Sequence, residues 1–216
     1  PLLKTKKLLV DVGANVGHFA IPMAKLGHSV ISVEPSQSTC NELKTNVAKT
    51  QFQSNVEVHC AAASNTQETK TFYKPNGVKS TSFHEVTQEE AKRIKDAGNE
   101  ADLEQLESKT VDSIVGSTRE VFMFKTDTQG YEMSVLLGAP NLLQSGRVKF
   151  LLIEFSISLL TLAGTDHVDL LNFVADQGYV CSYLAYLGVT QLAPNKMYGV
   201  VDGPYFEGNR LSVGFK

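Results

Sequence analysis

Residues 8–34 read LLVDVGANVGHFAIPMAKLGHSVISVE. An apolar run, Leu8–Val12, leads into the turn Asp11-Val12-Gly13-Ala14-Asn15-Val16-Gly17. The pattern predicts a helix from about Val16 to Leu26, stopped by Gly27. A second apolar run, Ser29–Val33, ends on Glu34. The order is strand, glycine turn, helix, strand, acid. In an open α/β sheet such a unit places a ligand crevice at the carboxyl ends of its strands. Gly13 permits a tight turn where a Cβ would obstruct, and Gly17 lets the helix pack closely. Glu34 stands 21 residues after Gly13, where a carboxylate can accept both hydroxyls of a ribose.

Nicotinamide enzymes share this layout, so spacing must decide. Their fingerprint is G-x-G-x-x-G with an acid about 20 residues on. Here its three positions fall on Gly13, Asn15 and His18, so two glycines are missing. The turn reads D-x-G-x-N-x-G instead, which resembles the first motif of class I S-adenosylmethionine (SAM) methyltransferases. SAM has no pyrophosphate to cradle, so the dinucleotide glycines are not required. This resemblance implies Asp11, Gly13, Asn15, Gly17, Glu34 and Ala62 as cofactor-binding residues. The bland alternative is a glycine turn in an α/β domain that binds nothing.

At 216 residues the chain reads as one domain with a sizeable core. A composition of 42% hydrophobic and 20% charged residues is ordinary for a globular protein. The net charge of −3 gives no general attraction to nucleic acid. No stretch has the roughly 18 apolar residues of a membrane span. The expectation is a soluble domain, cytoplasmic unless an upstream anchor has been removed. Cys40, Cys60 and Cys181 are odd in number and widely spaced, so neither a disulfide framework nor a zinc site is expected. Cys60 and Cys181, in apolar runs, read as core thiols.

Beyond the first unit, strands are predicted at Val56–Ala62, Lys70–Tyr73, Phe122–Thr126, Phe150–Glu154, Val180–Tyr186 and Met197–Asp202. Helices are predicted from Ser36 or Ser38 to about Lys49, and over Val168–Asp176. The alternation predicts an α/β fold with a doubly wound, mostly parallel, seven-stranded sheet. Residues 85–109 hold eight acids and four bases in 25 positions, with helical spacing on both sides of Gly98. They read as a charged helical insertion, either a solvated hairpin or a lid.

Residues 122–155, FMFKTDTQGYEMSVLLGAPNLLQSGRVKFLLIEF, carry a more specific resemblance. They are similar to the FkbM family of SAM-dependent methyltransferases, whose signature resembles K-I-D-V-E-G-x-E-x-x-V-L-x-G-A. Lys125, Asp127, Gly130, Glu132, Val135, Leu136, Gly138 and Ala139 match it. Glu34-Pro35 agrees, and Cys60-Ala61-Ala62-Ala63-Ser64 resembles the family's N-A-A-L-S. The likeness runs over residues 8–155. Thr126 and Gln129 replace the usual Ile and Glu, so one family carboxylate is absent. Where the family commonly has E-x-H, this chain has Glu154-Phe155-Ser156, which removes that histidine.

The resemblance implies the Rossmann-like methyltransferase fold and methylation of a hydroxyl, often on a sugar or another small natural product. A hydroxyl becomes a good nucleophile as its proton leaves, so a positioned base is needed. Asp127, ending a strand, is the first candidate; its structural alternative is to cap the following helix. His84 is the second, since imidazole suits proton transfer near neutral pH. Tyr131 can lay its ring near a sulfonium. Lys125 is expected to pair with Glu132 or Glu154. Asp127 and Glu154 at adjacent strand ends raise Mg²⁺ as an alternative, not favoured because no third oxygen ligand is evident. A module that binds SAM without catalysis is the alternative function.

Overall fold

The computed structural model describes residues 5–73, 84–99, 102–183 and 197–202. Strand β1 (Leu8–Val12) leads through the glycine turn to α1 (Ala20–Lys25) and β2 (Ser29–Glu34). Helix α2 (Gln37–Ala48) and a 3-10 turn (Gln53–Asn55) precede β3 (Val56–Cys60). Then come β4 (Ala62–Ala63), β5 (Thr69–Tyr73), β6 (His84–Glu85), α3 (Gln88–Asp96), β7 (Leu103–Lys109) and α4 (Val111–Val115). Strand β8 (Val121–Thr126), α5 (Glu132–Leu137), α6 (Pro140–Gln144) and β9 (Val148–Phe155) follow. Helices α7 (Ile157–Leu162) and α8 (His167–Asp176) and strands β10 (Val180–Tyr183) and β11 (Met197–Asp202) complete the described chain.

The main sheet has the order β10-β11-β9-β8-β1-β2-β3. Its five strands from β9 to β3 are parallel, and β11 and β10 are antiparallel additions. In β1 and β2 every residue after the first is buried. Strands covered on both faces need apolar residues on both, which is why they read as continuous runs. From β1 the sheet grows outward to β2 and β3, and on the other side to β8 and β9. With right-handed crossovers the helices of the two halves fall on opposite faces. The carboxyl ends of β1 and β8 therefore border the crevice at the switch point. A core from Val10 and Ile31 through Phe124 and Leu136 to Leu151 and Leu170 fills the space between sheet and helices.

Three expectations are corrected. Residues 103–109 form strand β7, not a helix, and a second sheet of order β4-β7-β5-β6 results. β7 pairs antiparallel with β5 and parallel with β4. In it Leu106 and Ser108 are buried while Gln105 and Glu107 are exposed, the two-residue alternation of a half-covered strand. Among the charged segment's described residues the α-helix spans Gln88–Asp96, held by a capping box between Thr87 and Glu90. Helix α1 begins at Ala20, later than expected, because Asn15 and Gly17 take positive φ values of 49° and 99°. Of the expected strand Val180–Tyr186, residues 184–186 lie outside the described residues.

The third correction concerns the cysteines. Cys40 on α2 and Cys60 at the end of β3 form a disulfide, their Cα atoms 5.6 Å apart. Spacing could not show this, because a helix and a strand bring the two together only once β2 and β3 pair. Cys181 is a free, half-buried thiol whose pKa burial pushes up. The disulfide closes a loop with a sequence separation of 20. The Cys40→Ser/Cys60→Ser variant is expected to lose about 2–4 kcal/mol of stability in denaturant titration. Alkylation of the unfolded parent without reductant should label Cys181 alone.

Candidate active site

A cavity of about 450 Å³ opens at the carboxyl ends of β1, β2 and β8. Its floor is the turn after β1. The N–H groups of Gly13 and Ala14 both donate to the Val33 carbonyl, at 3.0 and 3.1 Å, which locks this turn to β2. The Asp127 N–H donates to the Val12 carbonyl at 3.0 Å and locks it to β8. Gly13 has φ of 77°, and a Cβ there would collide with the Asp127 carbonyl oxygen. Only glycine fits both demands. Gly17 does not border the cavity; a Cβ on it would lie 2.9 Å from Leu43 Cδ1 and 3.0 Å from Ile21 Cδ1. Its role is packing against α2.

Glu34 ends β2 and lines the cavity. It is 7% exposed, yet charged groups are rarely buried without partners. Oε2 accepts from the Asn15 N–H at 3.0 Å and Oε1 from the Ser36 N–H at 3.1 Å. Both oxygens are thus aimed by backbone amides. Asn15 sits in the left-handed region and its Oδ1 accepts from the Val16 N–H at 2.8 Å. Ala62 and Ala63, just after the disulfide, form the wall beyond Glu34.

Asp11 is fully buried and is not among the lining residues. It stands opposite Lys125 in the β1–β8 register, and Lys125 Nζ donates to Asp11 Oδ1 at 2.9 Å. Burial pushes the Asp11 carboxyl above its usual range, and the Lys125 ammonium pulls it back down. Asp11 thus lies beneath the cavity and anchors Lys125. Lys125 does line the cavity, 3.8 Å from Asp127 Oδ2 and 5.9 Å above the Phe19 ring centroid. The expected pairing of Lys125 with Glu132 or Glu154 is replaced by these two aspartates.

Glu132 serves its own turn. Its Oε1 accepts from the Thr128 N–H at 2.7 Å, the Thr128 hydroxyl at 3.1 Å and the Gly130 N–H at 3.3 Å. Burial raises its pKa against those donors. Glu132, not Asp127, is therefore the residue that caps this turn. Asp127 lines the cavity with a side chain 21% exposed. Gln129 Nε2 donates to Asp127 Oδ1 at 3.0 Å and to Glu154 Oε2 at 2.8 Å.

The second sheet supplies the remaining wall through Lys70, Phe72 and Glu85, none of which the sequence singled out. Lys70 Nζ meets Glu85 Oε2 at 3.1 Å. The Tyr131 hydroxyl donates to the Glu85 carbonyl at 3.3 Å, and burial raises its pKa. His84 is exposed and edge-on to Tyr73, with ring centroids 5.8 Å apart. Its strand neighbour Glu85 lines the cavity and His84 does not. Successive residues of a strand face opposite sides, so the candidacy of His84 as base is not supported by its placement. Of the charged segment's described residues, Glu85 is the one that lines the cavity. Among the described residues no group of three or more His, Cys, Asp or Glu is placed to hold a metal ion.

Removing Lys125 leaves Asp11 as an unpaired buried charge. Lys125→Met is expected to cost about 3–5 kcal/mol at pH 7. Asp11 then has a still higher folded pKa. Its favourable contribution is present below the unfolded value and lost as pH rises through the folded one. Denaturation at pH 4 should therefore show a smaller loss than at pH 7. Asp11→Asn combined with Lys125→Met should recover much of the stability.

The fold is shared with solved methyltransferase structures at low identity. TrmK from M. capricolum, solved with S-adenosyl-homocysteine, superposes with a TM-score of 0.54 at 8% identity, covering 96% of this chain and 66% of that one. The human methyltransferase 10 domain containing protein gives 0.50 at 10% identity, covering 94% and 74%. A delta-N METTL16 MTase domain gives 0.51 at 10% identity, covering 95% and 78%. No curated protein sequence matches. The methyltransferase FkbM domain matches residues 11–181, which carry the glycine turn, Glu34, the Lys125–Gly130 segment and Glu154. The chain belongs to the FkbM family of SAM-dependent methyltransferases.

Proposed function

We propose that the chain transfers the methyl of SAM to a hydroxyl on a sugar or another small acceptor. The observation that carries this reading is the pairing, in one cavity, of an amide-aimed carboxylate with a second carboxylate across a glycine floor. Glu34, Gly13 and Asp127 are those groups. The residues present fit SAM. Glu34 offers acceptors for two ribose hydroxyls, Asn15 shapes the turn that aims them, and Ala62 and Ala63 give an apolar wall for an adenine. Gly13 leaves backbone within reach of the methionine part. SAM, when bound, supplies a methyl group already activated on a sulfonium.

The protein's remaining work is to place the acceptor and move one proton. In-line approach within about 3–3.5 Å is the main requirement. Asp127 accepts the hydroxyl's hydrogen and takes that proton as the new O–C bond forms. The Lys125 ammonium, anchored on Asp11, stands 3.8 Å from Asp127 Oδ2. Tyr131, Phe19 and Phe72 give faces against which a sugar or aromatic acceptor can lie. Gln129 puts amide N–H groups between Asp127 and Glu154, so this pair does not require Mg²⁺. The Cys40–Cys60 disulfide favours an oxidising compartment over the cytoplasm. Among the described residues no helix is long and apolar enough to cross a membrane.

Glu34→Ala is expected to weaken SAM binding in calorimetric titration by about 1–3 kcal/mol, the worth of lost charged hydrogen bonds. Unchanged affinity in a folded variant would remove Glu34 from the site. The enzyme reading is tested by release of S-adenosylhomocysteine with pooled sugars, phenols and lipids, with RNA as a separate arm. Asp127→Asn should keep SAM affinity within a few-fold and lower turnover by roughly 10²-fold or more. Near-normal turnover rejects Asp127 as base. Release with RNA alone rejects the small acceptor, and no release with any acceptor leaves a binding module. Full activity in EDTA is expected.

A further inference from the structure

Position 129 is where this chain departs from the family signature, carrying glutamine for glutamate. The backbone there is in the left-handed region, with φ of 57°, an uncommon conformation for a non-glycine residue. Gly130 follows with φ of 105°, and a Cβ on it would collide with the Leu159 carbonyl oxygen of α7. The loop is thus pressed against α7, with Gln129 directed between β8 and β9. Thr126 and Ile153 are register partners, so Asp127, just past the end of β8, is level with Glu154 near the end of β9. One amide group, Nε2 of Gln129, reaches both acids, at 3.0 and 2.8 Å. Glu154 is 1% exposed.

Two carboxylates around one point repel unless something donates between them. A third carboxylate at 129 would deepen the conflict, and a shared proton or a cation would be needed to resolve it. A primary amide has two N–H donors and no charge, so it joins the acids without titrating. The other charged groups near Asp127 are already engaged. Lys125 lies 3.8 Å from Asp127 but 2.9 Å from Asp11. Across the cavity Lys70 is held by Glu85 and Glu34 by backbone amides, while the Tyr131 hydroxyl is turned to the Glu85 carbonyl. His18 lines the cavity from the α1 side.

We propose that Gln129 is the positioning residue of this site, holding Asp127 and Glu154 as two separate carboxylates. Its amide takes the place of the proton or cation that an acid at this position would require. The bridge fixes Asp127 Oδ1 and leaves Oδ2 on the Lys125 side. The proposal rests on the reading of Asp127 as the group that meets the acceptor.

The test needs neither acceptor nor SAM. The side-chain carboxyls of Asp127 and Glu154 are titrated by ¹³C NMR in the full chain, assigned by their loss in Asp127→Asn and Glu154→Gln. In Gln129→Ala both midpoints should rise by about one unit, because each charged form loses a donor. In Gln129→Glu, close to isosteric, the acids should titrate as a coupled set, one proton being held at least about one unit above the parent midpoints. Millimolar Mg²⁺ should shift that variant's midpoints and not the parent's. Midpoints unchanged in both variants would overturn the proposal. So would Mg²⁺ shifting the parent. If Gln129→Ala does not fold, Gln129→Glu alone decides. Normal turnover in Asp127→Asn would instead sink the base reading while leaving the bridge standing.

Discussion

Beneath the floor of the crevice, the Lys125 ammonium meets the fully buried Asp11 carboxylate at 2.9 Å. The two residues face each other across the parallel pair β1–β8, where the sheet changes its direction of growth. A buried charge pair of this kind adds little net stability, but each partner is costly to lose alone. What it fixes is registration. With β1 and β8 level, Gly13 comes against the Asp127 backbone and the Asp127 N–H reaches the Val12 carbonyl. The glycine turn and the loop that carries Asp127 then form one unit, and Lys125, held by the same anchor, lies 3.8 Å from Asp127 Oδ2.

A second constraint acts on the other side of the crevice. Glu34 and Cys60 are register partners on β2 and β3, and Cys60 is bonded to Cys40 on α2. Ser36, whose N–H aims Glu34, also gives its carbonyl to the Cys40 N–H at 2.7 Å. The disulfide therefore ties the helix start that orients Glu34 to the strand end that leads into Ala62. The site is braced by an ion pair on the β8 side and a covalent link on the β3 side. Gln129 adds a third brace, between β8 and β9.

Most of the parallel strands were legible because burial on both faces leaves unbroken apolar runs, as in Leu8–Val12 and Ser29–Val33. The glycine turn and Glu34 were legible as positions because the turn directly follows the apolar run of β1 and the acid closes that of β2. Contacts made between distant segments were not. Asp11 and Lys125 are separated by more than a hundred residues, and only the register opposes them. Cys40 and Cys60 looked unrelated for the same reason. Residues 103–109 read as helix because charged residues with scattered leucines fit a helical face as well as a half-covered edge sheet. The motif names Asp11 among the cofactor residues, and only the fold shows that it is buried beneath the floor. His84 is chemically apt, and only the pairing of β6 with β5 shows where it stands.

The central claim is that one cavity holds SAM by Glu34 and presents its methyl to Asp127. A crystal structure of the full chain with S-adenosylhomocysteine and a soluble acceptor analogue tests it most directly. The account predicts both ribose hydroxyls on the Glu34 carboxylate, the thioether sulfur above the Gly13 turn, and an acceptor oxygen within hydrogen-bond distance of Asp127. A ribose bound away from Glu34, or a sulfur facing the second sheet with Asp127 out of reach, would contradict it.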